Sequence, residues 1–184
     1  AALLRAAAEA GVPVTVVVAA SNDPAELGAP WLVMSRLEGE TIARRILRDD
    51  GYAAARPRLL GQLARGLAAL HAVVEVPGLP AEDDVLVSMR ALLDSCEEPH
   101  PAFELGLRWL AAHRPAPVGR TIVHGDYRLD NTMFDASGLV GVLDWELAHV
   151  GDPASDRLTL LVGEREVVVH DRDLVTRLLN AAGR

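Results

Sequence analysis

Lysine is absent from this chain of 184 residues, whose 18 basic side chains are all arginine. Chemistry that needs a lysine from this chain is therefore excluded, including Schiff-base formation and the holding of phosphates by a P-loop or strand lysine. Cysteine is nearly absent too, since Cys96 stands alone. A single cysteine excludes an internal disulfide framework and fits a reducing compartment, so we expect a cytoplasmic protein.

Long apolar runs are also missing. The longest, at residues 16–20, is far too short to cross a bilayer, and no signal peptide is visible at the start of the chain. The net charge of −8 argues against a protein that binds the backbone of nucleic acids, which would show a basic face. We therefore expect neither a membrane nor a nucleic acid among the partners, and the pattern contains no signal for the oligomeric state.

Half of the residues are hydrophobic, which suffices for the core of one good-sized domain or two small ones. The chain begins at Ala1 without an initiator methionine. We expect it to be a piece of a longer protein.

The order of predicted elements is helix, strand, loop and strand over residues 1–37, followed by a mainly helical region from residue 41. Leucines recur at the spacing of an amphipathic helix in residues 56–74. Further helices are predicted at residues 82–93, at 101–113, from Asp152 onward and at 171–182. Between them, residues 121–143 are rich in β-branched residues and predict short strands.

Two of these strands, residues 132–135 and 139–143, flank a three-residue loop with a glycine and predict a hairpin. If Asp135 pairs near Leu139, Asn131 lies opposite Leu143 or Asp144. Opposed residues have Cβ atoms roughly 4.5–5.5 Å apart, so the Asn131 amide and the Asp144 carboxylate would project from one end of the hairpin. Two such oxygen ligands with room for water are what Mg²⁺ uses when it is shared with substrate phosphates.

A histidine and an aspartate precede the hairpin, in the string His124-Gly-Asp126-Tyr-Arg-Leu-Asp-Asn131. His-x-Asp-x4-Asn followed by a later Asp is typical of kinase-type phosphoryl transfer. In that arrangement the first aspartate receives or orients the proton of the acceptor hydroxyl. The pattern therefore predicts Asp126 as the base beside a magnesium site.

With these motifs, the sequence resembles the aminoglycoside phosphotransferase and choline kinase-like family. The string His-Gly-Asp-Tyr-Arg with Leu-Asp-Trp-Glu-Leu-Ala is most similar to the subgroup associated with acyl-CoA dehydrogenases. Residues 151–156 resemble that family's Gly-Asp-Pro-x-x-Asp, residues 31–39 its hinge strand and residues 62–73 its central helix. The resemblance implies an α+β, protein kinase-like fold, mainly the helical C-lobe with a catalytic β-hairpin and a remnant of the N-lobe sheet.

The resemblance also implies roles for individual residues. Asp126 would be the catalytic base, His124 would brace the catalytic loop, and Asp156 would anchor that loop from below. Asn131 and Asp144 would bind Mg²⁺. ATP would lie against a hinge segment, mainly its backbone, formed by Met34, Ser35, Arg36 and Leu37. Residues 1–40 would be the remnant of the N-lobe with the hinge strand, and residues 41–184 the C-lobe with the catalytic loop at 124–131.

The sequence departs from the family in having no strand lysine and no Gly-x-Gly-x-x-Gly, so we expect this chain by itself to be an incomplete kinase. The leading hypothesis is an ATP- and magnesium-dependent small-molecule kinase that acts on a substrate hydroxyl. The alternative is a catalytically incomplete kinase-like fragment that acts only as a binding or relic domain. A metal-dependent phosphoester hydrolase is a third hypothesis, disfavoured because such enzymes gather more His and Asp ligands. The acceptor is not specified by any motif.

Overall fold

The computed structural model describes residues 1–96, 99, 101–155, 158–162 and 165–169, and its mixed helical and β architecture confirms the predicted α+β class. The helices are α1 (Ala2–Glu9), α2 (Ala43–Arg48), α3 (Arg56–His71), α4 (Val85–Ser95) and α5 (Pro101–Ala112). The strands are β1 (Val17–Ser21), β2 (Trp31–Met34), β3 (Thr121–Val123), β4 (Thr132–Asp135), β5 (Gly138–Val142), β6 (His149–Gly151), β7 (Leu158–Val162) and β8 (Arg165–Val169). Within this described part, the strands form four antiparallel pairs, β1–β2, β3–β6, β4–β5 and β7–β8.

Strand β1 is short and covers only Val17–Ser21. The residues before it leave the sheet and approach the β4–β5 hairpin, where the Val142 N–H donates to the carbonyl of Pro13 at 2.8 Å. Proline has no N–H to offer a ladder, so this part of the chain contributes a carbonyl to another element instead.

Helix α3 forms the centre of the core. Proline lies in its first turn, where a missing N–H costs nothing. Its leucine stripe is buried as predicted, at Leu59, Leu63, Leu67 and Leu70. These side chains join a cluster that includes residues of β3 to β6. Burying each leucine stabilises the fold by roughly 1.5–3 kcal/mol, which attaches the site-bearing strands firmly to the helix.

Two further connections hold the β elements in place. The Ile122 N–H of β3 donates to the carbonyl of Val73, just after α3, at 2.9 Å. Glu40 and Phe134 exchange backbone hydrogen bonds of 2.8 and 2.9 Å. The segment that follows β2 is thereby paired with strand β4 of the hairpin.

Helices α4 and α5 pack on each other and contain no buried residue. The side chain of Asp84 caps α4 by accepting from the Leu86 N–H at 3.0 Å. Arg90 of α4 holds both carboxylate oxygens of Glu104 on α5. Apolar side chains of the pair remain largely exposed, including Leu92, Phe103, Leu105 and Trp109.

The helix predicted from Asp152 onward is wrong beyond its first turn. Asp152 does cap that turn, since its Oδ1 accepts from the Ala154 N–H at 3.0 Å, but the turn is a 3₁₀ helix limited to Pro153–Ser155. The β7–β8 hairpin follows, in a segment rich in valine and leucine, which favours strand over helix. Asp156, Arg157 and the predicted helix at 171–182 lie outside the described residues.

No helix in the part of the chain that the structure describes has the length and apolar character to cross a membrane.

Candidate active site

The register of the β4–β5 hairpin brings Asn131 beside Leu143, as predicted. The Leu143 N–H donates to the carbonyl of Asn131 at 2.8 Å, one step beyond the pair Thr132–Val142. At the turn, Asp135 pairs with Gly138 rather than with Leu139, and a register shift between Met133 and Phe134 absorbs the difference. The bulge therefore offsets the one-residue difference in register at the turn. The pairing at the open end of the hairpin, where the site residues lie, is unchanged.

Asp144 leaves strand β5 in a left-handed conformation. Its φ of +58° makes it the sole non-glycine residue with positive φ in the described ranges. Aspartate tolerates this region better than most residues, although the conformation still costs energy. The residue is exposed. Within the part of the chain that the structure describes, no hydrogen bond or ion pair uses its carboxylate, which is therefore available to a ligand.

Asn131 and Asp126 are in direct contact. The Asn131 Nδ2 donates to Oδ2 of Asp126 at 2.7 Å and to the Asp126 carbonyl at 3.0 Å. Both side chains are half-buried. Because the amide nitrogen is used in this way, the amide Oδ1 of Asn131 and the carboxylate Oδ1 of Asp126 are the oxygens left for substrate or metal.

His124 connects the catalytic loop to the hairpin. The ring is fully buried, and the Asp126 N–H donates to its Nδ1 at 3.3 Å. Since Nδ1 accepts, Nε2 carries the proton and donates to the carbonyl of Leu143 at 2.9 Å. His124 therefore spans from the backbone of the predicted base to the residue before the predicted metal ligand.

The loop also depends on Gly125, which the sequence reasoning did not single out. Its φ is +85°, and a Cβ there would lie 2.5 Å from the carbonyl oxygen of Leu147. A side chain at this position would collide with backbone, so glycine allows the loop to pass close to the segment before β6. The sequence feature that could have indicated this role was the glycine at the middle position of the His-x-Asp string.

Two aromatic residues complete the support, and spacing alone could not have assigned them. Tyr127 is buried, with its hydroxyl donating to the carbonyl of Leu63 in α3 at 2.9 Å. Trp145 donates from Nε1 to the carbonyl of Val142 at 3.0 Å, and its ring centre lies 4.7 Å from that of His124. The carbonyl that Tyr127 binds comes from a distant part of the sequence, which a motif does not record.

The predicted hinge segment, Met34 to Leu37, begins at the last residue of β2 and continues beyond it. Met34 is 50% exposed. The Ser35 N–H donates to the carbonyl of Val16, the residue just before β1, at 2.8 Å, while the side chain of Arg36 pairs with Glu38 at the surface. Leu37 contacts the hairpin, because a Cβ on Gly141 would lie 2.4 Å from its Cδ1. The structure thus connects this segment to β5.

Two carboxylates near these elements have altered acidity. Hydrogen bonds from Ser137, chiefly its hydroxyl, lower the pKa of Asp135 at the hairpin turn. The pKa of Glu40 is lowered first by the Ile42 N–H and then by Arg45. Both effects stabilise turns that hold the site rather than the site itself.

The donor set fits magnesium. The described residues contain no group of three or more His, Cys, Asp or Glu side chains arranged to hold a metal. Magnesium, however, commonly takes only one or two carboxylate or amide oxygens and completes its shell with water and phosphate. The available Oδ1 of Asn131 and the exposed carboxylate of Asp144 satisfy that requirement.

Comparison with known proteins agrees with this geometry. A model of the phosphotransferase enzyme family matches residues 1–182. Among curated proteins, acyl-CoA dehydrogenase family member 10 of Mus musculus is 29% identical over 84% of the chain, which spans 15% of that protein. Acyl-CoA dehydrogenase family member 11 of Homo sapiens is 28% identical over 79% of the chain, which spans 20% of it. The chain therefore spans a fifth or less of these two relatives.

Solved structures share the fold. A candidate aminoglycoside phosphotransferase from Ralstonia eutropha matches with a TM-score of 0.66 and 28% identity, covering 84% of this chain and 50% of that one. A choline/ethanolamine kinase family protein from Mesorhizobium loti matches with a TM-score of 0.52 and 21% identity, covering 83% and 49%. Both results agree with the predicted protein kinase-like fold, and this chain corresponds to about half the length of each structure.

Proposed function

Because this chain belongs to the phosphotransferase enzyme family, we propose that it provides the catalytic loop and metal ligands of an ATP-dependent small-molecule kinase. The observation that carries the proposal is the connection of Asp126, Asn131 and the Leu143–Asp144 corner by hydrogen bonds of 2.7 to 3.0 Å. Preorganised groups of this kind are what phosphoryl transfer requires, because positioning and charge stabilisation supply most of its catalysis.

Asp126 acts as the base in this proposal. Its Oδ2 is occupied by the Asn131 amide, so Oδ1 receives the proton of the acceptor hydroxyl. As that O–H bond breaks, the acceptor oxygen forms a bond to the γ-phosphorus of ATP. The bond between that phosphorus and the β,γ-bridging oxygen breaks, and ADP leaves with its electron pair.

Asn131 and Asp144 are the proposed magnesium ligands, and His124 is the residue that positions them relative to the base. A magnesium ion bound there would supply positive charge to the nucleotide phosphates. The Leu143 carbonyl, which accepts from His124, precedes Asp144 directly. The histidine thereby fixes the corner at which the Asp144 carboxylate leaves the strand.

The hinge segment supplies the proposed contact with adenine. Within the described residues, no hydrogen bond uses the backbone N–H or carbonyl of Arg36 or Leu37. Backbone groups of this kind can pair with the edge of a base. We place the nucleotide side in residues 1–40 and the catalytic side in residues 41–184, in a cytoplasmic enzyme whose acceptor is a small hydroxyl compound.

The proposal is tested on the whole product of the reading frame that encodes this chain. ADP release is measured with Mg-ATP and a panel of small hydroxyl compounds, with water as the reference acceptor. We expect Asp126→Asn to lower turnover by about 10²–10⁴-fold while the affinity for nucleotide stays within about twofold. Asp83→Asn, a surface carboxylate paired with Arg120, is the matched control and should retain full turnover.

Undiminished turnover in Asp126→Asn would show that the assignment of the base is wrong. If the whole product binds nucleotide but transfers phosphate to no acceptor, the binding-only fragment becomes the better reading. Phosphate release from phosphoesters in the absence of nucleotide would instead favour the hydrolase.

A further inference from the structure

The connection between β5 and β6, residues 143–148, carries the proposed metal ligand Asp144. Three of its six side chains, those of Asp144, Glu146 and Leu147, are exposed. Burial of side chains alone therefore does not fix where the backbone of this connection lies. Hydrogen bonds to its carbonyl groups are a second means of holding it, because each such bond ties the backbone to another element.

A histidine ring holds each end of this connection. At the first end, His124 donates from Nε2 to the carbonyl of Leu143 at 2.9 Å. At the other end, Nδ1 of His149, the first residue of β6, lies 2.9 Å from the carbonyl oxygen of Leu147. Because a carbonyl oxygen can only accept, this Nδ1 carries the ring proton and donates it. The two rings therefore hold the backbone on both sides of Asp144.

The carbonyl that His149 holds faces the catalytic loop. A Cβ on Gly125 would lie 2.5 Å from the Leu147 carbonyl oxygen and 2.8 Å from the Leu147 Cβ. The backbones of the loop and of the connection are thus in close contact at this point. His149 itself pairs with Val123, just before the loop, in the β3–β6 ladder. The bond from its ring to Leu147 therefore helps to set the distance between the connection and the catalytic loop.

The second ring nitrogen of His149 has no partner in the part of the chain that the structure describes. This Nε2 is buried, and a Cβ on Gly151 would lie 2.9 Å from it. A buried acceptor without a donor costs free energy, so a role in packing alone would favour an apolar side chain here. The bond from Nδ1 to the Leu147 carbonyl is what distinguishes a histidine from such a side chain.

We propose that His149 is a positioning residue of the magnesium site, and that it acts by holding the Leu147 carbonyl against Gly125. The inference rests on the proposed function, in which Asp144 binds Mg²⁺. Groups that bond directly to a metal ligand commonly change metal affinity by about 10–100-fold when they are removed. His149 acts through the backbone, so its removal has a smaller effect.

The test measures how strongly Mg²⁺ favours nucleotide binding. Titration calorimetry on the whole product of the reading frame gives the affinity for a non-hydrolysable ATP analogue, once with Mg²⁺ and once with EDTA. The ratio of these two affinities is the magnesium effect. We expect His149→Leu to lower the magnesium effect by about three- to tenfold, because the Leu147 carbonyl loses its donor. The affinity in EDTA should stay within about twofold of wild type.

His149→Asn separates positioning from packing. The asparagine Nδ2 is attached to Cγ, as the histidine Nδ1 is, so it can donate to the same carbonyl. We expect this variant to keep the magnesium effect within about twofold of wild type. If His149→Leu fails to fold, His149→Gln takes its place with the same expected loss, because its amide nitrogen lies one bond further from the backbone.

The matched control is His113→Leu. His113 directly follows α5, and its Nδ1 likewise lies 2.8 Å from a carbonyl oxygen, that of Trp109. The substitution removes the same kind of bond from the α4–α5 helix pair. It should change neither affinity.

An unchanged magnesium effect in His149→Leu would overturn the inference and leave the proposed function standing. Equal losses in His149→Leu and His149→Asn would also overturn it, because a bond from Nδ1 predicts rescue by the amide. An equal loss in His113→Leu would do the same. If Mg²⁺ does not strengthen binding of the analogue to the wild type, the proposed metal ligands are wrong, and this inference fails with the proposed function.

Discussion

The catalytic loop with its hairpin and the α4–α5 helix pair are held together by different means. In the first region, His124, Tyr127, Thr132 and Phe134 are almost completely buried. Their polar groups bond mainly to backbone, as in the contacts of His124 with Leu143 and of Tyr127 with Leu63. In the second region no residue is buried, and the helices are joined by the ion pair of Arg90 and Glu104.

The difference shows which of the two regions has a closely defined geometry. Buried hydrogen bonds to backbone fix a geometry, because breaking one leaves an unsatisfied polar group. Exposed ion pairs are screened by water and salt and tolerate rearrangement. The geometry of the region that carries the proposed chemistry is therefore specified more closely than that of the helix pair.

The largest expected contrast comes from replacing one glycine in each region by alanine. Gly125→Ala should lower the free energy of unfolding by about 2–4 kcal/mol, since the added Cβ meets the Leu147 carbonyl and the positive φ disfavours it. Gly106→Ala in α5, where nothing lies within 4 Å, should raise it by up to about 1 kcal/mol. Urea denaturation measures both, and effects of the same sign would break the comparison.

A smaller contrast comes from removing one hydroxyl that donates to a helix carbonyl in each region. Tyr127→Phe loses the buried bond to Leu63 and should cost about 1–1.5 kcal/mol. Ser95→Ala loses an exposed bond to Leu92 in α4 and should stay within about 0.5 kcal/mol of wild type. Equal losses in thermal unfolding would mean that burial does not separate the two regions.

The smallest effect concerns acid. The pKa of Asp135 is lowered by the Ser137 hydroxyl and backbone N–H groups, and that of Glu104 by Arg90. A lowered folded-state pKa contributes stability above the ordinary value of about 4, which is lost as pH falls through the folded-state pKa. The melting temperature of the wild type should decrease between about pH 5 and pH 3. We expect this decrease to be smaller in Asp135→Asn and in Glu104→Gln.

Added salt sharpens this last prediction. The donors to Asp135 carry no charge, whereas the partner of Glu104 is a cation. Half-molar salt should therefore shrink the difference between wild type and Glu104→Gln and leave that of Asp135→Asn nearly unchanged. The reverse pattern would contradict the comparison.

The sequence was a good guide where local pattern and geometry coincide. The leucine spacing predicted α3, and counting back from the hairpin turn predicted that Asn131 lies opposite Leu143 or Asp144, of which the structure has Leu143. The predicted pairing at the turn was wrong by one residue. The predicted pairing at the site was still correct, because the bulge lies between the turn and the site. Asp152 was correctly expected to cap a helical turn, but the residues after it favour strands, and capping says nothing about how far a helix continues.

Contacts between distant parts of the chain could not be predicted in the same way. Tyr127 reaches a helix carbonyl 64 residues earlier, and Leu37 lies against Gly141. Nothing local to either residue specifies these partners, since packing is decided by the whole fold. The predicted roles of Asp126, Asn131, Asp144 and the hinge residues remain predictions, and the Asp126→Asn variant tests the first of them.

The two hydrogen bonds of the Leu143 backbone have a mechanical consequence. Its N–H donates to Asn131 and its carbonyl accepts from His124, so each of the two peptide planes that meet at its Cα is held by a hydrogen bond directly before Asp144. Bending of the hairpin should then carry the histidine, the asparagine and the Asp144 backbone along together, so that their displacements are correlated. Thermal motion of the whole corner can be large while the spacing between its functional groups stays nearly constant.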